Sequence, residues 1–214
     1  MSYKVAEVVD VEEFNRFMNN EFKDAVLEFN GACGKSPHTV KTVEKAVDMI
    51  LNECKRVIEE ADETIKAYKE NNRAERLDGI VDVYWTQTQL ANLFAVLSEK
   101  FGSELSTEIS HRAYDDQLKI VYARDIVPLA ITLGTGTIIS GKAIVASAIR
   151  IMKNNQQKYT TDIDVALDWA ERLEKGQSMM GYIHNGKKFY CLKRDEDDYV
   201  VKPYNFKSVN LEDI

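Results

Sequence analysis

The chain predicts a mainly α-helical fold: an antiparallel helical bundle carrying a small β-hairpin near its C-terminal end. Three observations predict it. Apolar residues recur every three or four positions through two long stretches, about 40–69 and 77–101. Only the polar stretch 71–76 separates them, and a short connection makes consecutive helices antiparallel neighbours. Near residue 176 the pattern changes, and Tyr182 to Tyr190 reads strand, turn, strand with Asn185-Gly186 at the turn.

The elements follow in order. Residues 11–29 predict a first helix with Phe14, Phe17, Phe22, Val26 and Phe29 toward the core, and 31–37 a loop with Ser36-Pro37 as a helix-start signal. The helix 40–69 has its apolar stripe at Val47, Ile50, Cys54, Val57, Ile58, Ala61 and Ile65. The helix 77–101 is apolar over most of its circumference, as in a buried helix, and Gly102 ends it. Residues 106–123 predict a helix, 126–141 an irregular or extended stretch, and 142–159 and 162–175 two more helices, the second capped by Asp162. A third strand is expected at 199–202. The division expected is a helical domain over 1–175, with 103–141 as an insertion, and a β appendage and tail over 176–214.

Composition narrows the function. The 214 residues carry 28 Lys and Arg against 35 Asp and Glu, for a net charge of −7. That argues against a nucleic-acid polymer or an anionic membrane as partner, though a bound metal inverts the local sign and leaves a nucleotide substrate open. Residues 1–13 are mixed and acidic, which predicts no signal peptide, and the apolar run 126–139 is short and broken by Pro128, Gly134 and Gly136. The cysteines, Cys33, Cys54 and Cys191, lack zinc spacing and predict free thiols in a reducing compartment, the cytoplasm (of the host cell, if the chain is phage-encoded).

The residues that bear chemistry are acids. Glu59, Glu60 and Glu63 neighbour one another on the first long helix, opposite Val57, Ala61 and Ile65. Alone they read as a solvated acidic face. Asp78 and Asp82 lie one turn apart on the second helix, in a narrow polar stripe continued by Trp85, Gln89 and Asn92. A buried ionised carboxylate is very costly unless paired or bound to metal. The antiparallel connection turns Glu63 and Asp78 toward the same end of the helix pair, where the two acid faces can share hard cations such as Mg²⁺ and serve phosphate chemistry.

These residues carry a resemblance. Glu-Glu-x-x-Glu, a short gap, and an acid ahead of Asp82-Val83-Tyr84-Trp85 resemble the all-α nucleoside triphosphate pyrophosphohydrolases, the MazG-like proteins and dimeric dUTPases, whose motif is EExxE…ExxD. Glu59, Glu60 and Glu63 match its first half and Asp82 its last residue. The Glu of ExxD falls on Gly79, and Asp78 stands in for it because i and i+4 share a face. Asn155 and Lys158 match a later Asn-x-x-Lys element, and Lys202 to Lys207 is similar to a tail of phage-type members. The resemblance spans 40–97 well and 143–159 loosely. It implies a MazG-like bundle that hydrolyses a nucleoside triphosphate to monophosphate and pyrophosphate with Mg²⁺ (Mn²⁺ as substitute). Glu59, Glu60, Glu63, Asp78 and Asp82 would be metal ligands, and Glu59, Glu60 and Glu63 the catalytic set. Asn155 and Lys158 would bind phosphate. Trp85 and Gln89 would meet the base, although Trp85 reads more readily as plain core packing. Short members build sites between subunits, which implies a homodimer or homotetramer.

Other patterns are weaker. Gly136 to Ala143 nearly fits a P-loop but ends in Ala143 where Ser or Thr would hold Mg²⁺. Glu108-Ile109-Ser110-His111 is one Glu-x-x-His element, whereas di-iron bundles use two. A di-iron carboxylate protein and a non-catalytic helical interaction protein are the alternatives to the hydrolase.

Overall fold

The computed structural model describes residues 11–136 and 139–214. The chain is mainly helical with a small antiparallel sheet toward its C-terminus, and no described helix is long and apolar enough to cross a membrane. The helices are α1 Val11–Phe17, α2 Lys23–Ala32, α3 Val43–Lys69, α4 Arg73–Phe101, α5 Ser103–His111, α6 Tyr114–Thr135, α7 Gly141–Asn155 and α8 Ile163–Ala170. A π-helical turn, Met18–Phe22, lies between α1 and α2. The strands are β1 Tyr159–Thr160, β2 Gln177–His184, β3 Lys187–Arg194 and β4 Val200–Val201. The fold divides into two units: Met1–Lys23, Pro37–Ala148 and Leu211–Ile214 form the first, and Asp24–Ser36 with Ile149–Asn210 the second.

In the first unit α3, α4 and α6 pack on one another. Thr42 caps α3 by accepting from Lys45 N, and Asn72 caps α4 by accepting from Glu75 N, so the loop joining them needs only Glu70 to Asn72. Val47, Ile50, Cys54, Val57 and Ala61 of α3 meet Val83, Leu90, Leu93 and Leu97 of α4 and Ala123, Ile126, Val127 and Ala130 of α6 in one core. The apolar stripe expected for α3 is therefore the stripe that is buried.

Two glycines let the helices close. A Cβ on Gly79 would overlap Thr64 Oγ1, and one on Gly134 would stand 2.7 Å from Ile80 Cγ1 and 2.8 Å from Thr64 Cγ2. Thr64 is fully buried, and its hydroxyl donates to Glu60 O at 2.8 Å.

Residues 126–135 depart from the irregular or extended stretch expected over 126–141. Helix α6 runs unbroken through Pro128 to Thr135. An interior proline removes one backbone donor and crowds the preceding turn, but α6 is held at both sides of it. Ile126, Val127, Ala130 and Gly134 are buried, and Arg76 of α4 caps the end, its Nε donating to Gly134 O at 2.8 Å and its Nη2 to Thr135 O at 3.2 Å. A cation on the last carbonyls complements the helix dipole. The single helix expected over 106–123 is instead two, broken at Arg112, which turns extended, pairs with Asp48 of α3 at 3.0 Å, and leaves its carbonyl to Gln117 Nε2.

In the second unit β2 pairs along all of β3, while β1 and β4 pair with successive stretches of β3. The hairpin turn expected at Asn185-Gly186 is present, both residues having positive φ, the signature of a two-residue type I′ turn. Asp162 caps α8 as expected, accepting from Asp164 N and Val165 N. All three cysteines are buried free thiols. Cys33 and Cys191, distant in sequence, hydrogen-bond to each other, which with burial pushes the Cys33 thiol well above its ordinary range.

Because the neighbour at Gly79 is a short side chain on a packed helix, we expect Gly79→Ala to destabilise the protein by about 2 kcal/mol in urea denaturation, within the range of overpacked cores. Thr64→Ala in the same chain should recover part of that loss, the two changes being non-additive.

Candidate functional site

The close crossing at Gly79 and Thr64 sets the level of every acid on the two helices. They run antiparallel at the same rise per residue, so three residues beyond Gly79, Asp82 stands level with Ala61, and it is not among the charges that act most strongly on Glu60. Trp85 and Gln89 follow at the levels of Ile58 and Cys54. Glu59 and Glu63 are exposed, while Glu60, Asp78 and Asp82 are half-buried.

Glu60 is the centre of this group. Burial, and then the charges of Glu63, Asp78 and Glu59, push its carboxyl up to about 7, with Arg56 opposing them. Glu60 thus registers acids from both helices, and the acid of α4 that reaches it is Asp78. The steric contact at Gly79 gives the reason: a glutamate at that position would point into Thr64 of the facing helix. The glycine permits the crossing, and the neighbouring Asp78 carries the charge. Among the described residues, no three His, Cys, Asp or Glu side chains converge at metal-holding distance.

Of the remaining residues of the polar stripe, Trp85 and Gln89 are buried and Asn92 is half-buried. The Trp85 ring lies edge-on to Phe22, centroids 5.6 Å apart and planes at 89°. Two polar residues were missed by the sequence reading: Arg56, the cation beside Glu60, and Glu53, a buried acid. Glu53, Arg56, Glu60 and Glu63 recur at three and four on α3, so the periodicity used for the apolar stripe also marks them.

Asn155 and Lys158 belong to the second unit. Asn155 ends α7 and is buried, and Lys158 closes the 3₁₀ turn Gln156–Lys158. Lys158 Nζ lies 5.8 Å from the Phe29 ring centroid and 5.9 Å from that of Phe206, and Lys202 Nζ stands 4.9 Å over Phe206. Lys207 N donates to Gln157 Oε1 at 3.1 Å, and Asn154 Nδ2 donates to Lys207 O. The Asn-x-x-Lys turn and the Lys202 to Lys207 tail, noted separately in the sequence, are one hydrogen-bonded structure.

The weaker sequence patterns lie in local structure where they are described. Glu108 is engaged by Arg112 Nε at 3.0 Å, and His111 is exposed at the end of α5. Of the P-loop-like segment, residues 137 and 138 lie outside the described residues, as do 1–10 of the acidic start. Ser140 accepts from Ala143 N at 3.3 Å and so caps α7. Compared with known proteins, the chain matches no family model, no curated protein and no solved structure.

The strained charge on Glu60 has a measurable sign. Its native carboxyl titrates near 7 against 4.5 ordinarily, so its charge opposes folding increasingly as pH rises between those values and fully above 7. We expect Glu60→Gln to stabilise the metal-free protein by about 2–3 kcal/mol at pH 8, and by less than half of that at pH 5.5. Urea denaturation in EDTA at the two pH values reads both.

Proposed function

We propose that this protein is a Mg²⁺-dependent nucleoside triphosphate pyrophosphohydrolase of the MazG-like all-α type, cleaving its substrate to the monophosphate and pyrophosphate. One observation carries the reading: Glu60, half-buried, lies among Glu59, Glu63 and Asp78 from two facing helices, with its carboxyl pushed up by burial first and then by their charge. Folding gathers like charges in this way only at a loss of stability, and a cation with oxygen ligands offsets it. The donor set is all carboxylate oxygen, which suits Mg²⁺ or Mn²⁺ and not a soft metal.

On this reading Glu59, Glu60, Glu63, Asp78 and Asp82 hold the cation. Bound Mg²⁺ supplies charge neutralisation of the triphosphate and a more acidic water. Arg56 balances part of the negative charge while the acids are bare. A glutamate of the Glu59, Glu60 and Glu63 set takes the proton of the attacking water. In the second unit Lys158 and the amide of Asn155 are the proposed phosphate donors. Lys158 is held near its position by two rings and by a turn that the tail fastens, which lowers the entropy lost when it engages an anion. Gln89 and Trp85 are the proposed base-contacting residues. The di-iron alternative is disfavoured by the engagement of Glu108 with Arg112.

Pyrophosphate release should be measured on a panel of canonical and modified ribo- and deoxyribonucleoside triphosphates. We expect release in Mg²⁺, retained in Mn²⁺ and abolished by EDTA. Glu60→Ala and Asp82→Ala should each lower kcat by at least about 100-fold with the fold intact by circular dichroism, and Lys158→Ala should chiefly raise KM, by about 10-fold. Release that survives EDTA, or near-normal turnover in both acid variants, would sink the proposal.

A further inference from the structure

Two of the buried thiols meet within the second unit, and the sheet shows how they are brought together. Side chains alternate faces along a strand, so Cys191 and Lys193 of β3 share one face, joined there through the register by Tyr182 and His184 of β2 and Tyr159 of β1. The end of α2 is pressed onto that face around Cys33. A Cβ on Gly31 would overlap the His184 ring, and one on Gly34 would overlap the Tyr182 ring. Phe29 packs edge-on to Tyr159, the register partner of Cys191. Cys33, between the two glycines, hydrogen-bonds to Cys191, and neither cysteine has exposed surface. Lys193 is buried beside them, with its ammonium 4.9 Å over the Tyr182 ring.

We propose that Cys33 and Cys191 form a dithiol–disulfide redox site, oxidised by hydrogen peroxide to an intrachain disulfide and returned to the dithiol by a small dithiol reductant. The two sulfurs play different parts. Cys33 stands just past the last turn of α2, where the negative end of the helix dipole disfavours a thiolate. Its hydrogen bond to Cys191, together with burial, raises its own thiol. The same bond, then Lys193 and Lys35, hold the Cys191 thiol below its ordinary range against the opposing effect of burial. The thiolate is the nucleophile, so Cys191 attacks one peroxide oxygen. The O–O bond breaks, the sulfur becomes a sulfenic acid, and the leaving hydroxide takes up the proton that Cys191 had lost. The Cys33 sulfur then attacks the Cys191 sulfur. The S–O bond breaks as the S–S bond forms, and the Cys33 proton leaves with the hydroxide as a second water. Two thiols thus give up two electrons and two protons, and one peroxide is reduced to two waters.

The seal around the pair selects the oxidant. Sulfurs without exposed surface admit a molecule little larger than water more readily than a bulky disulfide, since exchange depends on access. Cys54 is the internal comparison. It is just as buried, but its charged neighbour is the acid Glu53, and burial followed by that charge pushes its thiol up to about 12. A thiol in that state is inert. The disulfide fastens the end of α2 to β3, the strand on which β1, β2 and β4 all pair. In a reducing compartment such bonds form transiently, in redox sensing rather than as permanent staples.

To test this, the reduced full chain is treated with hydrogen peroxide, quenched with catalase, denatured in iodoacetamide and mapped by mass spectrometry. We expect a disulfide joining Cys33 to Cys191 with Cys54 alkylated, and alkylation of Cys33, Cys54 and Cys191 alike once dithiothreitol has been added. Cys33→Ser should stop at a sulfenic acid on Cys191, trapped by dimedone, and Cys191→Ser should consume peroxide at least about 10-fold more slowly than the native chain. Circular dichroism checks that both variants fold, and the product formed by the native chain decides the proposal if either does not. Recovery of every thiol intact overturns the proposal, as does a disulfide that forms only between chains. Loss of Cys54 as fast as Cys191 overturns it too, because oxidation then proceeds through the unfolded chain. Dimedone capture on Cys33 in Cys191→Ser at the native rate overturns the assignment of Cys191 as the nucleophile.

Discussion

The first unit depends on the absence of a side chain at Gly79. There α4 approaches α3 closely enough that a single Cβ would overlap Thr64, and Thr64 in turn gives its hydroxyl to the carbonyl of Glu60 one turn earlier. Gly134 repeats the device for α6, whose backbone comes down on Ile80 and the same Thr64. Three helices thus share one small-residue junction. Arg76, buried one turn from Gly79, satisfies its guanidinium on the last carbonyls of α6 and against the Tyr68 ring. A charge that would be costly in a core is held by the end of a helix dipole.

The acids inherit their arrangement from this junction. Had α4 packed farther out, Asp78 would lie outside the reach of Glu60, and Glu59, Glu60 and Glu63 would be an ordinary wet face. Close packing brings Asp78 of α4 to the acids of α3, and Glu60 feels burial first and then the charges of Glu63, Asp78 and Glu59. Stability is given up where the proposed chemistry is placed, a common property of sites that bind ions. The glycine that departs from the acidic motif is what allows the crossing, so the departure and the gathering of the acids have one cause.

In the second unit the organising element is β3. It takes β2 on one side and the short β1 and β4 on the other. It also carries Cys191, which hydrogen-bonds to Cys33 at the end of α2. Tyr159 of β1 donates to Glu28 at 2.6 Å and packs edge-on against both Phe29 and Phe189, so the helix bearing Glu28 and the sheet share one aromatic cluster. The turn bearing Asn155 and Lys158 lies between this cluster and the tail.

Read alone, the sequence determined the helical class, the apolar face of α3, the Asn185-Gly186 hairpin, the Asp162 cap and the identity of the acids. Each is a local matter of periodicity, capping or turn stereochemistry, settled within a few residues. It did not determine the course of residues 126–135, where Pro128 argues locally for a break and burial of Ile126, Val127 and Ala130, with Arg76 at the end, argues for a helix. Nor did it decide that Asp78 lies within reach of Glu60, that Trp85 turns its edge to Phe22, or that the tail seals the Asn155 to Lys158 turn. Those depend on contacts between residues far apart in the chain. The tertiary structure decided them because close packing at Gly79 and Gly134 outweighs local preference, and no periodicity in one segment records what another segment will press against it.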